Sequence, residues 1–117
     1  MDSILQSVRK RLGGELFVNP EEATPFDDTL IEDINSALMI LTQLGVGQEG
    51  FVVTTAEDTW DDFLGDSNKD KELVKTYVGV RVKLMFDPPN SSTLTKLLED
   101  QMHEYEWRLN VRAETNT

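Results

Sequence analysis

The sequence predicts a mainly α-helical fold, a small bundle of about four helices interrupted by one long loop. Two observations carry that expectation. Apolar residues recur at helical spacing in four separate stretches, and glycines or a proline pair punctuate them where helices would stop. With 117 residues the chain can bury one modest core but not two. Residues 1–112 are therefore expected as a single domain, and residues 113–117 as a flexible tail.

The first helix is expected where Ile4, Leu5, Val8 and Leu12 recur before Gly13 and Gly14. Arg9, Lys10 and Arg11 fall in its last turn, where cations suit the helix dipole. Residues 16–25 read as loop. Thr24 and Pro25 then open a second helix, with Asp27 and Asp28 in the first turn. Its apolar stripe is Leu30, Ile34, Ala37, Leu38 and Leu41, and Gly45 supplies the left-handed residue that ends it. Met39 and Ile40 widen the apolar surface beyond what one helix–helix contact uses.

Phe51, Val52 and Val53 open a short β-branched stretch that reads either as a strand or as an extended arm reaching a neighbouring chain. Thr59 then caps a single helical turn, and Trp60, Phe63 and Leu64 are expected to plug the end of the bundle. Residues 70–86 carry two competing periods. Val78, Val80, Val82 and Leu84 alternate like a strand, whereas Leu73, Tyr77, Val80 and Leu84 repeat like a helix. Length favours the helix, because strands usually run only about 5–6 residues. Gly79 within it would permit close backbone approach.

Phe86-Asp87-Pro88-Pro89 must break any helix, since proline lacks the amide donor and clashes with the preceding turn. Ser91 or Ser92 can cap a last helix that folds back on the third. Its inward face collects Leu94, Leu98, Met102, Tyr105 and Leu109. Trp107 falls nearly opposite that stripe, with Val111 beside it. This surplus indole is expected to anchor an interface, unless another segment of the same chain covers it. The expected core is Leu30, Ile34, Leu38, Leu41, Trp60, Phe63, Tyr77, Leu84, Leu98, Tyr105 and Leu109.

The net charge of −11 is unevenly spread. From Leu12 to Asn68 there are thirteen acidic residues and no lysine or arginine; all eleven basic residues lie outside, beside nine acids. Two readings fit: a solvated acidic face, or a subunit whose acidic side meets the more basic side of a neighbour. The second makes Arg81, Lys83, Arg108 and Arg112 candidate contact residues, together with Trp107, Val111, Phe51, Val52 and Val53. Tight DNA binding is disfavoured, because phosphate neutralisation needs a basic surface.

Without cysteine the chain forms neither disulfides nor thiolate zinc sites. No basic-then-apolar leader opens the sequence and no apolar run reaches membrane-spanning length, so a soluble, intracellularly made protein with no membrane role is expected. No catalytic constellation emerges, and neither an enzyme nor a cofactor is expected. His103 stands alone among Met102, Glu104 and Glu106. Gly45-Val46-Gly47 lacks the further glycine and the lysine of a phosphate loop. Asp66 opens like a calcium loop, but Lys71 and Tyr77 occupy the positions of the turn glycine and the bidentate glutamate. Glu57, Asp58, Asp61 and Asp62 read as a solvating or salt-bridging cluster, with a weak divalent-ion site as the alternative. Asn90-Ser91-Ser92 matches a glycosylation sequon but reads more simply as a helix cap.

Five segments in order carry a family resemblance: Ile34-Asn35-Ser36-Ala37-Leu38, Gln43-Leu44-Gly45-Val46-Gly47, Thr59 to Leu64, Phe86-Asp87-Pro88-Pro89, and Glu106-Trp107-Arg108-Leu109-Asn110. Together, across residues 27–110, the chain resembles the small head–tail connector (adaptor, or head-completion) proteins of long-tailed bacteriophages and prophages. The resemblance implies a helical subunit that joins a ring, dodecameric when assembled, beneath the portal protein at the virion neck. It implies a channel through which DNA passes without specific binding, a docking surface for the next neck or tail-completion protein, and no catalysis. Two other readings remain open at this point: an acidic DNA-mimic inhibitor, and a helical adaptor unrelated to virions.

Overall fold

The computed structural model describes residues 2–66 and 68–115. Five helices follow in order: α1 (Ile4–Leu12), α2 (Asp27–Gln43), α3 (Trp60–Leu64), α4 (Lys71–Phe86) and α5 (Ser92–Thr115), with a 3-10 turn at Glu15–Phe17. The fold is mainly helical, as expected. Among the described residues the sole β feature is an isolated antiparallel bridge between Ser3 and Thr59.

α1 begins where the Ser3 hydroxyl accepts from the Gln6 amide and ends at Gly13. Ile4, Leu5 and Val8 are buried, and so is Arg9, at 2% exposure. Its guanidinium donates through Nη2 to Asp27 Oδ2 at 2.6 Å and through Nε to Oδ1 at 3.2 Å. Nη1 donates to the Pro20 carbonyl at 3.0 Å. The amide and hydroxyl of Thr24 donate to the same carboxylate. Burial alone would raise the pKa of Asp27, but Arg9 and Thr24 outweigh it and hold the carboxyl below its usual range. Asp27 therefore does more than favour the helix dipole: it clamps α1 onto the start of α2.

α2 buries the predicted stripe, Leu30, Ile34, Ala37, Leu38 and Leu41. Gly45 follows with φ 91°, and the Val46 amide turns back to the Leu41 carbonyl at 2.9 Å. The segment at 51–55 is neither a strand nor, at Val53, a free arm. Val53 is 1% exposed. Its amide donates to Asn35 Oδ1 at 2.7 Å, and its carbonyl accepts from Asn35 Nδ2 at 3.0 Å. The primary amide of Asn35 thus takes the place of a neighbouring strand. Phe51 is half-buried with its ring 5.4 Å from Phe63, while Val52 is exposed.

The Thr59 cap of α3 forms a full capping box with Asp62. Trp60 is completely buried, and its Nε1 donates to Ser7 Oγ at 2.9 Å. α4 settles the competition between periods in favour of the helix. It packs against α1, α2 and α5. Its buried residues are Val74, Tyr77, Val78, Gly79 and Val82. Because neighbours cover several sides of α4, the buried centre runs along 74, 78 and 82. Leu84, expected in the core, is only half-buried. A Cβ on Gly79 would sit 1.9 Å from Cδ of Arg11, so the missing side chain leaves room for the Arg11 side chain to lie across α4.

After Pro88 and Pro89 the Ser91 hydroxyl accepts from the Leu94 amide at 3.3 Å, and α5 returns along α4. Leu109 is buried; Tyr105 and Met102 pack half-buried against the core. Leu98, also expected inside, is half-buried. The reason is geometric. α5 lies mainly on one neighbour, α4, and a helix covered on one side leaves the flanks of its apolar stripe wet. α5 continues to Thr115, past the expected boundary at 112, and Ala113 packs beside Gly45. Residues 116–117 of the expected tail lie outside the described residues.

The molecule measures 42 × 35 × 20 Å, a slab about two helix diameters thick. Asp27→Asn should lower stability by about 3 kcal/mol, because it leaves a buried guanidinium without its countercharge. Since the folded pKa of Asp27 is depressed, its contribution is complete above the unfolded pKa near 4 and fades as pH falls through the folded value. Urea unfolding followed by circular dichroism should show a wide gap between the two proteins near pH 7, narrowing as the pH falls below the unfolded value of Asp27.

Candidate assembly surface

α5 exposes one side to solvent along its length. At about 100° per residue, Trp107 lies opposite Leu109, the buried centre of the helix. Its side chain is 67% exposed, and Val111, one turn on, is exposed too. No other described segment covers the indole. Leu94 and Leu97 add exposed apolar area near the N-terminus of α5.

The basic candidates are not lone charges. Lys83 Nζ lies 2.9 Å from Asp87 Oδ2, and Arg108 Nη2 lies 3.0 Å from Glu104 Oε1. Arg112 Nε donates to Asp70 Oδ1. Arg81 Nη1 sits 3.5 Å from Glu106 Oε2, in a more sheltered network. There the Tyr77 hydroxyl donates to the same oxygen at 2.6 Å, and His103 Nδ1 approaches Glu106 Oε1 at 3.2 Å. Burial, reinforced by the Glu106 carboxylate, pushes the Tyr77 hydroxyl above its ordinary pKa, so it stays protonated as a donor. Exposed pairs such as Lys83–Asp87 and Arg108–Glu104 contribute little stability, typically 0.2–1 kcal/mol. They can exchange partners with a docking surface at small cost.

A second apolar feature lies on α2. The outer face of α2 and residues 50–52 enclose a groove of about 430 Å³. Met39 and Val52, both more than half exposed, sit in it with Asn35, Ser36 and Phe51, and Glu32 stands among them. The surplus apolar surface at Met39 was a sequence-level signal of this place. The groove itself was not legible, because its second wall depends on the Asn35–Val53 hydrogen bonds.

The acidic cluster is engaged locally. Asp58 accepts from the amides of Thr54 and Thr55, which hold its pKa below the usual range. Asp62 completes the capping box, and Asp61 Oδ1 lies 2.6 Å from Lys71 Nζ. Among the described residues no three His, Asp or Glu side chains group as a metal site requires. A polar cleft of about 620 Å³ runs beside α1, where Lys75 Nζ meets Asp2 Oδ2 at 2.6 Å. No described helix is long and apolar enough to cross a membrane.

What this geometry offers chemically is contact: apolar anchors framed by exchangeable ion pairs. Comparison with protein families finds a match over residues 4–116 to the model described as phage connector protein. Comparison with curated proteins and with solved structures finds no match.

The two tryptophans should separate cleanly in fluorescence. Trp107→Phe leaves only the buried Trp60, so emission should shift to the blue and acrylamide quenching should fall several-fold. Equal quenching of the variant and the parent chain would contradict the exposure assigned to Trp107.

Proposed function

The chain belongs to the phage connector protein family, and on that premise we propose that it assembles as a ring between the portal protein and the tail or next neck protein. The ring extends the DNA channel and completes the head, and its copies contact one another, the portal and the downstream neck or tail-completion protein. A dodecamer is the stoichiometry we infer.

One observation carries this reading: Trp107 is exposed on the face of α5 opposite its buried stripe. A large aromatic anchor held on a rigid helix is what a protein–protein contact uses. A ring further requires heterologous contacts, in which one side of a subunit complements the other. The base-free stretch from Leu12 to Asn68 and the mixed remainder supply segments of different charge for such contacts. Opposite charges would set register and encounter more than affinity. Net acidity also suits a conduit, because DNA must slide past without sticking.

A DNA mimic is less well supported. Mimicry needs carboxylates in exposed rows, whereas Asp27, Asp58, Asp61 and Asp62 are each engaged in a clamp, turn, ion pair or cap.

Adding the protein to portal-bearing, DNA-filled heads and imaging the neck tests the ring reading. Ring density should appear at the portal exit, and its absence with the unaltered chain overturns the proposal. Trp107→Ala should reduce occupancy at least about tenfold, in line with loss of a central aromatic anchor. Lys83→Glu should reduce it less, and both variants should keep their helical circular-dichroism signal.

A further inference from the structure

We propose that the indole of Trp107 from one copy seats in the groove between α2 and residues 50–52 of the next copy, making this the contact that propagates around the ring. The inference rests on the connector reading and gives that assembly its knob and its hole.

The arrangement of helices supports it first. α4 packs against both α2 and α5. α2 turns Leu30, Ile34, Leu38 and Leu41 inward, and the groove residues Glu32, Ser36 and Met39 occupy its opposite side. On α5 the inward residue is Leu109 and the outward one is Trp107. Knob and groove therefore face away from the shared core on two different helices. A contact joining two such different patches is heterologous when each copy gives its knob to one neighbour and its groove to another. It leaves a free knob on one copy and a free groove on the other, as a ring requires.

Size and chemistry agree. A groove of about 430 Å³ lies in the range of pockets that enclose a bulky group, large enough for an indole. Its accessible apolar atoms come from Met39, Phe51 and Val52. Met39 is unbranched and adaptable, and its sulfur makes favourable contacts with aromatic edges. Ser36, Asn35 and Thr42 surround these with polar atoms, giving the indole N–H acceptors within the same groove. The wall at 50–52 does not need to be ordered on binding, because both Asn35–Val53 bonds already hold the adjoining backbone. Such preorganisation removes an entropic cost of docking.

Charge agrees as well. Glu32 stands in the groove, and the surrounding stretch contains no basic residue. Arg108 follows Trp107 directly and is about half exposed in its pair with Glu104. An exposed intrahelical pair of this kind is weak enough to give way to a neighbour's carboxylate.

The absence of cysteine makes the test direct. Met39→Cys and His103→Cys place one thiol in the groove and one a helical turn from Trp107. The two variants are mixed and treated with a short bis-maleimide, both free and on portal-bearing heads. The mixture should cross-link at least about tenfold more than either variant alone, and a chain carrying both changes should give a ladder. Met39→Glu should lower ring occupancy about tenfold with an unchanged circular-dichroism spectrum, as loss of a hot-spot contact predicts. Full rings without mixed cross-links, or with Met39→Glu behaving as the parent chain, overturn this contact and leave the ring standing. Cross-linking strongest within one variant alone also overturns it, because it marks a symmetric interface. Mixed cross-links without rings from the unaltered chain support the contact and count against the ring alone.

Discussion

α4 lies against α1, α2 and α5, and covering that helix is the constraint from which the other placements follow. Its valines and Gly79 give it poor intrinsic helicity, so tertiary burial must hold it helical. Val74, Val78 and Val82 provide that burial, and Gly79 removes the Cβ that would collide with Arg11. On the other side of α1, Arg9 reaches Asp27 and the Pro20 carbonyl. The buried guanidinium is tolerated because its hydrogen bonds and its countercharge arrive together.

α5 shows the opposite balance. It rests on α4 through a narrow seam, with Leu109 buried and Met102 and Tyr105 half-buried. Polar contacts supplement the seam: Tyr77 to Glu106, Arg112 to Asp70, and Asn110 Nδ2 to the Leu44 carbonyl. A helix held along one side must show its other side to something. In this connector-family chain, the contact we propose seats that outward indole in the α2 groove of a neighbouring copy.

The charge pattern takes a different form in three dimensions than along the chain. In sequence, a base-free acidic stretch is set against a mixed remainder. In space, a few of those acids are paired, Asp27 with Arg9 and Asp61 with Lys71, while Lys83, Arg108 and Arg112 each meet a carboxylate of the mixed remainder. What remains for partners is a set of exposed pairs that can be exchanged, plus acids such as Glu32 beside the groove. Electrostatics of this kind guides orientation, while apolar surface supplies adhesion.

The sequence by itself determined the helical class, most helix ends and the main core stripe. Thr59, Ser91, Gly45 and the Pro88–Pro89 break act on backbone groups within a few residues, and the spacing of Leu30, Ile34, Leu38 and Leu41 repeats within one helix. It also placed Trp107 opposite the buried side of α5, because that angle follows from helical geometry alone. Length already favoured a helix for residues 70–86; only the tertiary structure decided which face of α4 (Lys71–Phe86) is buried, that Val53 turns inward, that Leu84 and Leu98 stay half-buried, and that the basic candidates are paired. Each of these depends on groups distant in the chain. Asn35 and Val53, like Arg9 and Asp27, lie eighteen residues apart. Local periodicity carries no information about such meetings, which depend on how separate segments pack together.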